Sequence, residues 1–217
     1  MALDPVLRSY VKGAFGNSPG IQAFERSVQL AFAGAEAEIK KLVVAEVHRQ
    51  LGRAVQESSP SSVAQWIDGV QGAPIESIRF NGVAYFRFGY IGNLVTEAVQ
   101  LLEGATPVKT GQLVESYIVL VNGEKFSGYG AADYRMIPQD AEIVITNKMY
   151  YTGRVEAGKK RTGEPWSAHA PLGVLRPVAE YLRRRWARFA TVQYAWSNFS
   201  GLEGPSRRPS ILIKAKW

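Results

Sequence analysis

The sequence predicts an α+β protein, with a long N-terminal helix followed by a mixed or antiparallel β-sheet packed against two helices. Three patterns predict it. Apolar side chains recur every three or four positions between residues 21 and 56, which is the signature of one long helix. Two apolar runs of strand length follow, Tyr117–Val121 and Ile143–Ile145, and two shorter helical patterns flank them, over residues 91–104 and from Pro177 onward. The same patterns divide the chain into a helical arm, residues 1–60, and an α+β domain, residues 61–217.

Taken in order, Val6, Leu7, Tyr10, Val11 and Phe15 fit a short amphipathic helix that the Gly16–Gly20 cluster would stop. The long stripe comprises Phe24, Val28, Phe32, Ala35, Ile39, Leu42, Val43, Val47, Leu51 and Val55. A helix over that span would be roughly 50 Å long. It fits either a helix lying along its own domain's sheet or an arm that buries part of its stripe on a neighbouring subunit. Residues 57–62, with Pro60 among serines, end it and serve as a linker. Asn81-Gly82 stands between the runs Ile75–Phe80 and Val83–Phe88 and predicts a hairpin, since both turn residues tolerate positive φ. Arg79, Tyr85, Phe86, Arg87, Phe88 and Tyr90 then mix arginine with aromatics, as a nucleic-acid platform or a hairpin with one packed face would.

In the helix over 91–104, Leu94, Val95, Ala98, Leu101 and Leu102 face inward and Gly104 supplies a stop. Pro107 forces Thr106 out of helix, and Gly111 gives the turn from which the next element leaves. Tyr117–Val121 and Ile143–Ile145 are apolar throughout, which predicts strands covered on both faces. The intervening residues 122–130 read as an exposed glycine-rich loop whose Gly128, Tyr129 and Gly130 make contacts. Lys159, Lys160 and Arg161 concentrate charge in a second loop. Pro177 opens the last helix at its first position, with Val178, Leu182, Trp186 and Phe189 inside. Arg183, Arg184, Arg185 and Arg188 point outward, fit either for phosphate and carboxylate partners or for plain solvation. Thr191–Phe199 reads as a strand, Gly201–Pro205 as a turn, and Ile211, Ile213 and Ala215 alternate with Lys214 and Lys216 in a final outer strand.

Composition narrows the function. The 217 residues carry a net charge of +7 and no cysteine, so disulfides and thiolate metal sites are excluded, while nucleic acid or acidic protein surfaces are allowed partners. No run approaches the ~20 apolar residues of a membrane span. Met1–Pro5 has no basic head before an apolar core, so no signal peptide is expected. The two histidines, His48 and His169, lack ligand spacing, and neither a metal nor a cofactor is expected. No catalytic motif is present, and no catalytic residue is assigned. Glu156 with His169 is an imaginable acid/base pair, but Glu156 serves equally as an ion-pair partner.

The central stretch resembles a known family. Thr106-Pro107-Val108-Lys109-Thr110-Gly111-Gln112-Leu113, with Ser116, is similar to the Pro-x-Asp-Thr-Gly-x-Leu-x-x-Ser signature of neck or tail-completion proteins of long-tailed double-stranded DNA phages, related to the Z-type minor tail protein of lambda-like phages. Ile145-Thr146-Asn147 followed by Tyr151-Thr152-Gly153-Arg154-Val155-Glu156-Ala157-Gly158 resembles that family's strand and Tyr-Ala-x-x-Val-Glu-x-Gly segment, with Thr152 in place of alanine. Arg176-Pro177-Val178-Ala179 resembles its Arg-Pro-Ala helix start. Lys109 departs from the family's acidic residue, and the match covers roughly residues 91–217. The resemblance implies an α+β virion protein, assembled in the host cytoplasm as a hexameric ring at the head–tail junction. It would join the tail tube and its terminator to head connector or stopper proteins around the DNA channel, with non-specific DNA contact and no membrane. A tail terminator capping the tube and a nucleic-acid-binding protein are the alternative readings.

Overall fold

A computed structural model describes residues 19–108, 111–199 and 207–216. The short helix expected at Val6–Phe15, the turn at Gly201–Pro205, and Lys109 and Thr110 lie outside the described residues. The fold is mixed α and β, and the chain divides into two compact units, residues 1–59 with 64–87 and residues 60–63 with 88–217. The segment 64–87 therefore belongs with the arm rather than with the larger domain.

In the first unit, helix α1 (Pro19–Ser58) begins on a proline, where the missing N–H costs nothing. It stops at Ser59, whose φ of 42° leaves the helical region. Two six-residue strands, β1 (Ser62–Ile67) and β3 (Ala84–Gly89), and a two-residue one between them in sequence, β2 (Val70–Gln71), follow in the order β2-β1-β3. Val43, Val44, Val47 and Leu51 of α1 pack on Ile67, Ile75 and Ile78. Leu42 is adjacent in sequence to Val43 but lies about 100° away around the helix. Leu42 and Phe32 both stay 66% exposed, and Phe32 lies on the same side of the helix as Val43, so the single stripe read from the sequence is packed over Val43–Leu51 and open before it.

The hairpin is not at Asn81-Gly82. Trp66 pairs with Gln71 and Ile67 with Val70, so the tight turn is Asp68-Gly69, with φ of 50° and 82°. Asn81-Gly82 instead closes a loop onto that turn. The Asp68 carboxylate accepts the N–H groups of Arg79 and Val83, both at 2.8 Å. Gly82 approaches so closely that a Cβ there would lie 2.2 Å from Asp68 Oδ1. Those two backbone bonds hold the Asp68 carboxyl below its ordinary value of 3.8. Its contribution to stability is thus present above that value and lost as pH falls through the folded one. Asp68→Ala should open residues 64–87 to limited proteolysis at neutral pH while the second unit stays resistant, and acid should open the wild type at the same place.

Within the arginine and aromatic mixture Phe86 packs on the small core, while Arg79, Tyr85 and Arg87 are exposed. The Arg87 guanidinium lies 5.4 Å from the Trp66 ring, and Trp66 tilts against Tyr85 at 5.5 Å.

The second unit is built on an antiparallel sheet in the order β5-β4-β6-β8-β7, where β4 is Tyr117–Val121, β5 Glu124–Lys125, β6 Glu142–Asn147, β7 Ala190–Asn198 and β8 Arg207–Ala215. Helices α2 (Ile91–Ala105) and α5 (Leu175–Arg185) lie on one face, burying Leu94, Val95, Ala98, Leu102, Val178 and Leu182 with Val119, Ile143, Ile145, Val192, Ile211 and Ile213. The opposite face carries Ile118, Leu120, Val144 and Leu212, of which only Ile118 is fully buried. The expectation of strands covered on both faces holds on the helix-packed face and only in part on the other. Antiparallel neighbours pair along the whole apolar run from either side, and that lateral pairing, as much as a second layer, shields its residues.

Two further expectations change. Asn122-Gly123, with φ of 52° and 85°, makes a two-residue hairpin from β4 to β5, so that stretch is not a long open loop. The lysine-bearing strand β8 is internal and β7 is the edge. Helix α3 (Ala131–Tyr134) and helix α4 (Thr152–Glu156) complete the unit.

Candidate functional site

The motif segments meet at two buried polar side chains, each placed by the end of a strand or helix. Asn147, the last residue of β6, is fully buried. Its Nδ2 donates to the Leu113 carbonyl at 2.7 Å, and its Oδ1 accepts the Met149 N–H at 2.9 Å. The Thr152 hydroxyl lies 3.2 Å from that Oδ1 and 2.7 Å from the Met149 carbonyl. One amide therefore ties the first motif, at buried Leu113, to the start of α4. Lys148 N–H donates to the Ser116 carbonyl alongside, and the Arg208 guanidinium donates to the carbonyls of Asn147 and Lys148. Gly111 has a φ of 81°, the left-handed turn its position predicts. Pro107 is half-buried just after Thr106, whose hydroxyl bonds the Leu102 carbonyl and lies 2.8 Å from Tyr117 Oη.

Glu156, at the other end of α4, is 5% exposed. Its carboxylate accepts the N–H groups of Val174 at 2.6 Å, Leu175 at 2.8 Å and Arg176 at 3.4 Å. The next residue is Pro177, which has no N–H. All the amides that open α5 without an intrahelical partner are thereby satisfied by one side chain and one proline. The expected position of Pro177 is corrected from first to third in the helix, which begins at Leu175. Burial pushes the Glu156 carboxyl up from its ordinary value, against the pull of these three bonds and of Arg176. Two glycines make room. A Cβ on Gly158 (φ 73°) would meet the Pro171 carbonyl at 2.8 Å, and one on Gly173 (φ 83°) would meet Glu156 Oε2 at 2.8 Å. Tyr151 leads into α4, edge-on to Tyr150 at 5.4 Å.

Glu156 and His169 are not brought together. His169 is exposed, and among the described residues no hydrogen bond joins the two. The ion-pair alternative for Glu156 is replaced by a helix cap. His48 lies 3.1 Å from Glu76, both exposed. Among the described residues no group of three or more His, Cys, Asp or Glu could hold a metal ion, and no helix is long and apolar enough to cross a membrane.

The expected contact residues fall in different places. Tyr129 is 71% exposed, yet its hydroxyl donates to Glu103 at 2.5 Å and its N–H to Asp133 at 2.8 Å. A Cβ on Gly128 would lie 2.6 Å from that of Asp133, and Gly130 has a φ of 90°. Substituting these glycines would disturb the entry to α3, so they cannot report on contacts with the fold left intact. Lys159, Lys160 and Arg161 are exposed at the head of a tight turn, where Lys160 N–H donates to the Glu164 carbonyl at 2.7 Å and its Nζ lies 3.3 Å from the Glu164 carboxylate. Arg183 and Arg184 are exposed on α5. Arg185 instead turns to Glu97 at 2.8 Å, the carboxylate that also receives the Trp186 indole N–H.

Sequence reasoning missed Asp68, Gly173 and Arg208. Asp68-Gly69 carries a hairpin signal as strong as Asn81-Gly82. Nothing local marks Gly173 or Arg208, since both act on residues distant in the chain.

The fold and its junction define a class: a mixed α and β protein in which two buried polar side chains bond the main chain of neighbouring segments, with charged loops and helix faces outside. Comparison with family models, with curated proteins and with solved structures returned no match.

Proposed function

We propose that this chain is a structural virion protein of the head–tail junction, a neck or tail-completion protein. It assembles as a hexameric ring that joins the tail tube to the head connector around the DNA channel. The observation that carries the reading is the junction at Asn147 and Glu156. The three segments that resemble the family, around Gly111–Leu113, Tyr151–Gly158 and Arg176–Pro177, are separate in sequence and converge there. Their polar atoms are consumed in holding β6, α4 and α5 together. A motif used in this way serves a scaffold rather than a reaction, and what the scaffold presents is surface: the basic turn at Lys159–Arg161, Arg183 and Arg184, and the open stripe of α1. Those are means of contact with copies of the chain and with adjoining rings. A channel lining that lets DNA slide contacts phosphates sparsely, because each neutralised phosphate adds salt-dependent affinity.

Immunogold labelling of particles of the phage that encodes the chain tests the reading. Label is expected at the head–tail junction, and the isolated protein should bind duplex DNA weakly with a shallow salt dependence. Label absent from particles would overturn the assignment, and tight, steeply salt-dependent DNA binding would favour the nucleic-acid-binding alternative instead.

A further inference from the structure

Among the described residues the long edge of the sheet is left open. β7 runs for nine residues at the end of the five-stranded sheet and there pairs only with β8, in unbroken register from Ala190↔Ala215 to Asn198↔Arg207. The phase of that ladder follows from one bond. Lys216 N–H donates to the Phe189 carbonyl, so 189 and 216 are a hydrogen-bonded pair. Alternation then turns the peptide groups of Thr191, Gln193, Ala195 and Ser197 toward β8, and those of Val192, Tyr194 and Trp196 outward. Natural edges are usually blunted by lysine, proline or a bulge. Ala190–Asn198 contains no lysine or proline, and its register shows no bulge. The opposite edge, β5, is two residues long.

Beside this edge runs a groove of about 580 Å³, between α5 and the strand. Val192 and Tyr194 form one side of it, Arg176, Glu180 and Arg183 of α5 the other, and Lys216 also lines it. Three cations thus face one carboxylate. The Arg176 guanidinium is already drawn over the Tyr194 ring, 5.0 Å from its centroid, and Lys216 Nζ donates to the Ala187 carbonyl. We propose that this edge and groove take up an extended, acidic segment of another protein as an added strand. Main-chain bonds to Val192, Tyr194 and Trp196 would supply affinity, and carboxylates set against Arg176 and Arg183 would supply selectivity. A second copy of the chain is the weaker fit, because at +7 it carries the same sign of charge. The inference stands on the edge and the charges alone and does not depend on the virion reading.

The test is fluorescence anisotropy of the full chain with a labelled ten-residue peptide of alternating glutamate and valine. The peptide is expected to bind. Methylating its backbone nitrogens on the pairing edge, or replacing its glutamates by lysines, should weaken binding about tenfold or more. Arg183 is exposed, so Arg183→Glu should weaken binding by a similar factor with no change in thermal unfolding. Equal binding of the methylated peptide would overturn the proposal, since the surface would then be reading charge alone. An unchanged affinity in Arg183→Glu would also overturn it, as would displacement of the peptide by a duplex oligonucleotide at lower concentration. Concentration-dependent self-association abolished by Arg183→Glu would make a second copy the occupant and overturn it too.

Discussion

Asn147→Ala is expected to lower the stability of the second unit by about 3 kcal/mol, read as a fall in urea midpoint at unchanged slope. The side chain is fully buried and accounts for a donor and an acceptor at once. Alanine would leave the Leu113 carbonyl and the Met149 N–H without partners in a site closed to water, and would add a small cavity. Each stranded buried group costs about 1–3 kcal/mol, more than the bond itself contributes. Asn147→Asp is the sharper control. It keeps the acceptor and the shape but sets a carboxylate oxygen against the Leu113 carbonyl, so it should be no better than alanine. If either variant lost less than about 1 kcal/mol, the junction would not be what holds the motif segments together.

Glu156→Ala should be comparably severe, about 3 kcal/mol, because it uncovers the amides of Val174, Leu175 and Arg176 together. Those groups cannot turn to solvent without lifting α5 off the sheet, where Leu175 and Leu182 are fully buried. The pH dependence has a definite sign. Burial, the largest cause, raises the carboxyl above its ordinary value of 4.5, so the folded state holds this proton to higher pH than the unfolded chain does. The stability linked to that proton is fully present below the unfolded value and is lost as pH rises through the folded one. Wild type and Glu156→Gln, which cannot titrate, should accordingly differ most in favour of wild type below the ordinary value of 4.5, the gap narrowing as pH rises through the raised value of the folded state. A gap that widened with pH would mean that the three N–H bonds outweigh burial.

The secondary structure was largely legible. Residues 91–105 form the predicted helix because their apolar positions repeat with the helical period, and β4 and β6 form because Tyr117–Val121 and Ile143–Ile145 have strand length and strand-forming side chains. Turn chemistry was legible in kind but not in place. Asn-Gly and Asp-Gly each permit positive φ, and which of Asp68-Gly69, Asn81-Gly82 and Asn122-Gly123 closes a hairpin depends on the strands available on either side. The candidate contact loops were legible only as charge and glycine content. Whether Gly128 is free to vary turns on Asp133 standing 2.6 Å from its absent Cβ, and no local pattern reports such a distance.

By itself, the sequence determined the long first helix, the helix over residues 91–105 and the strands β4, β6, β7 and β8, because periodicity and composition act within a few residues. Only the tertiary structure decided how they are joined. Asn147 and Glu156 satisfy backbone groups tens of residues away in sequence, a debt created when β6 and α5 are buried and therefore invisible until the chain has folded. It also decided that β7 rather than β8 ends the sheet, since strand order follows from how the connections cross in space.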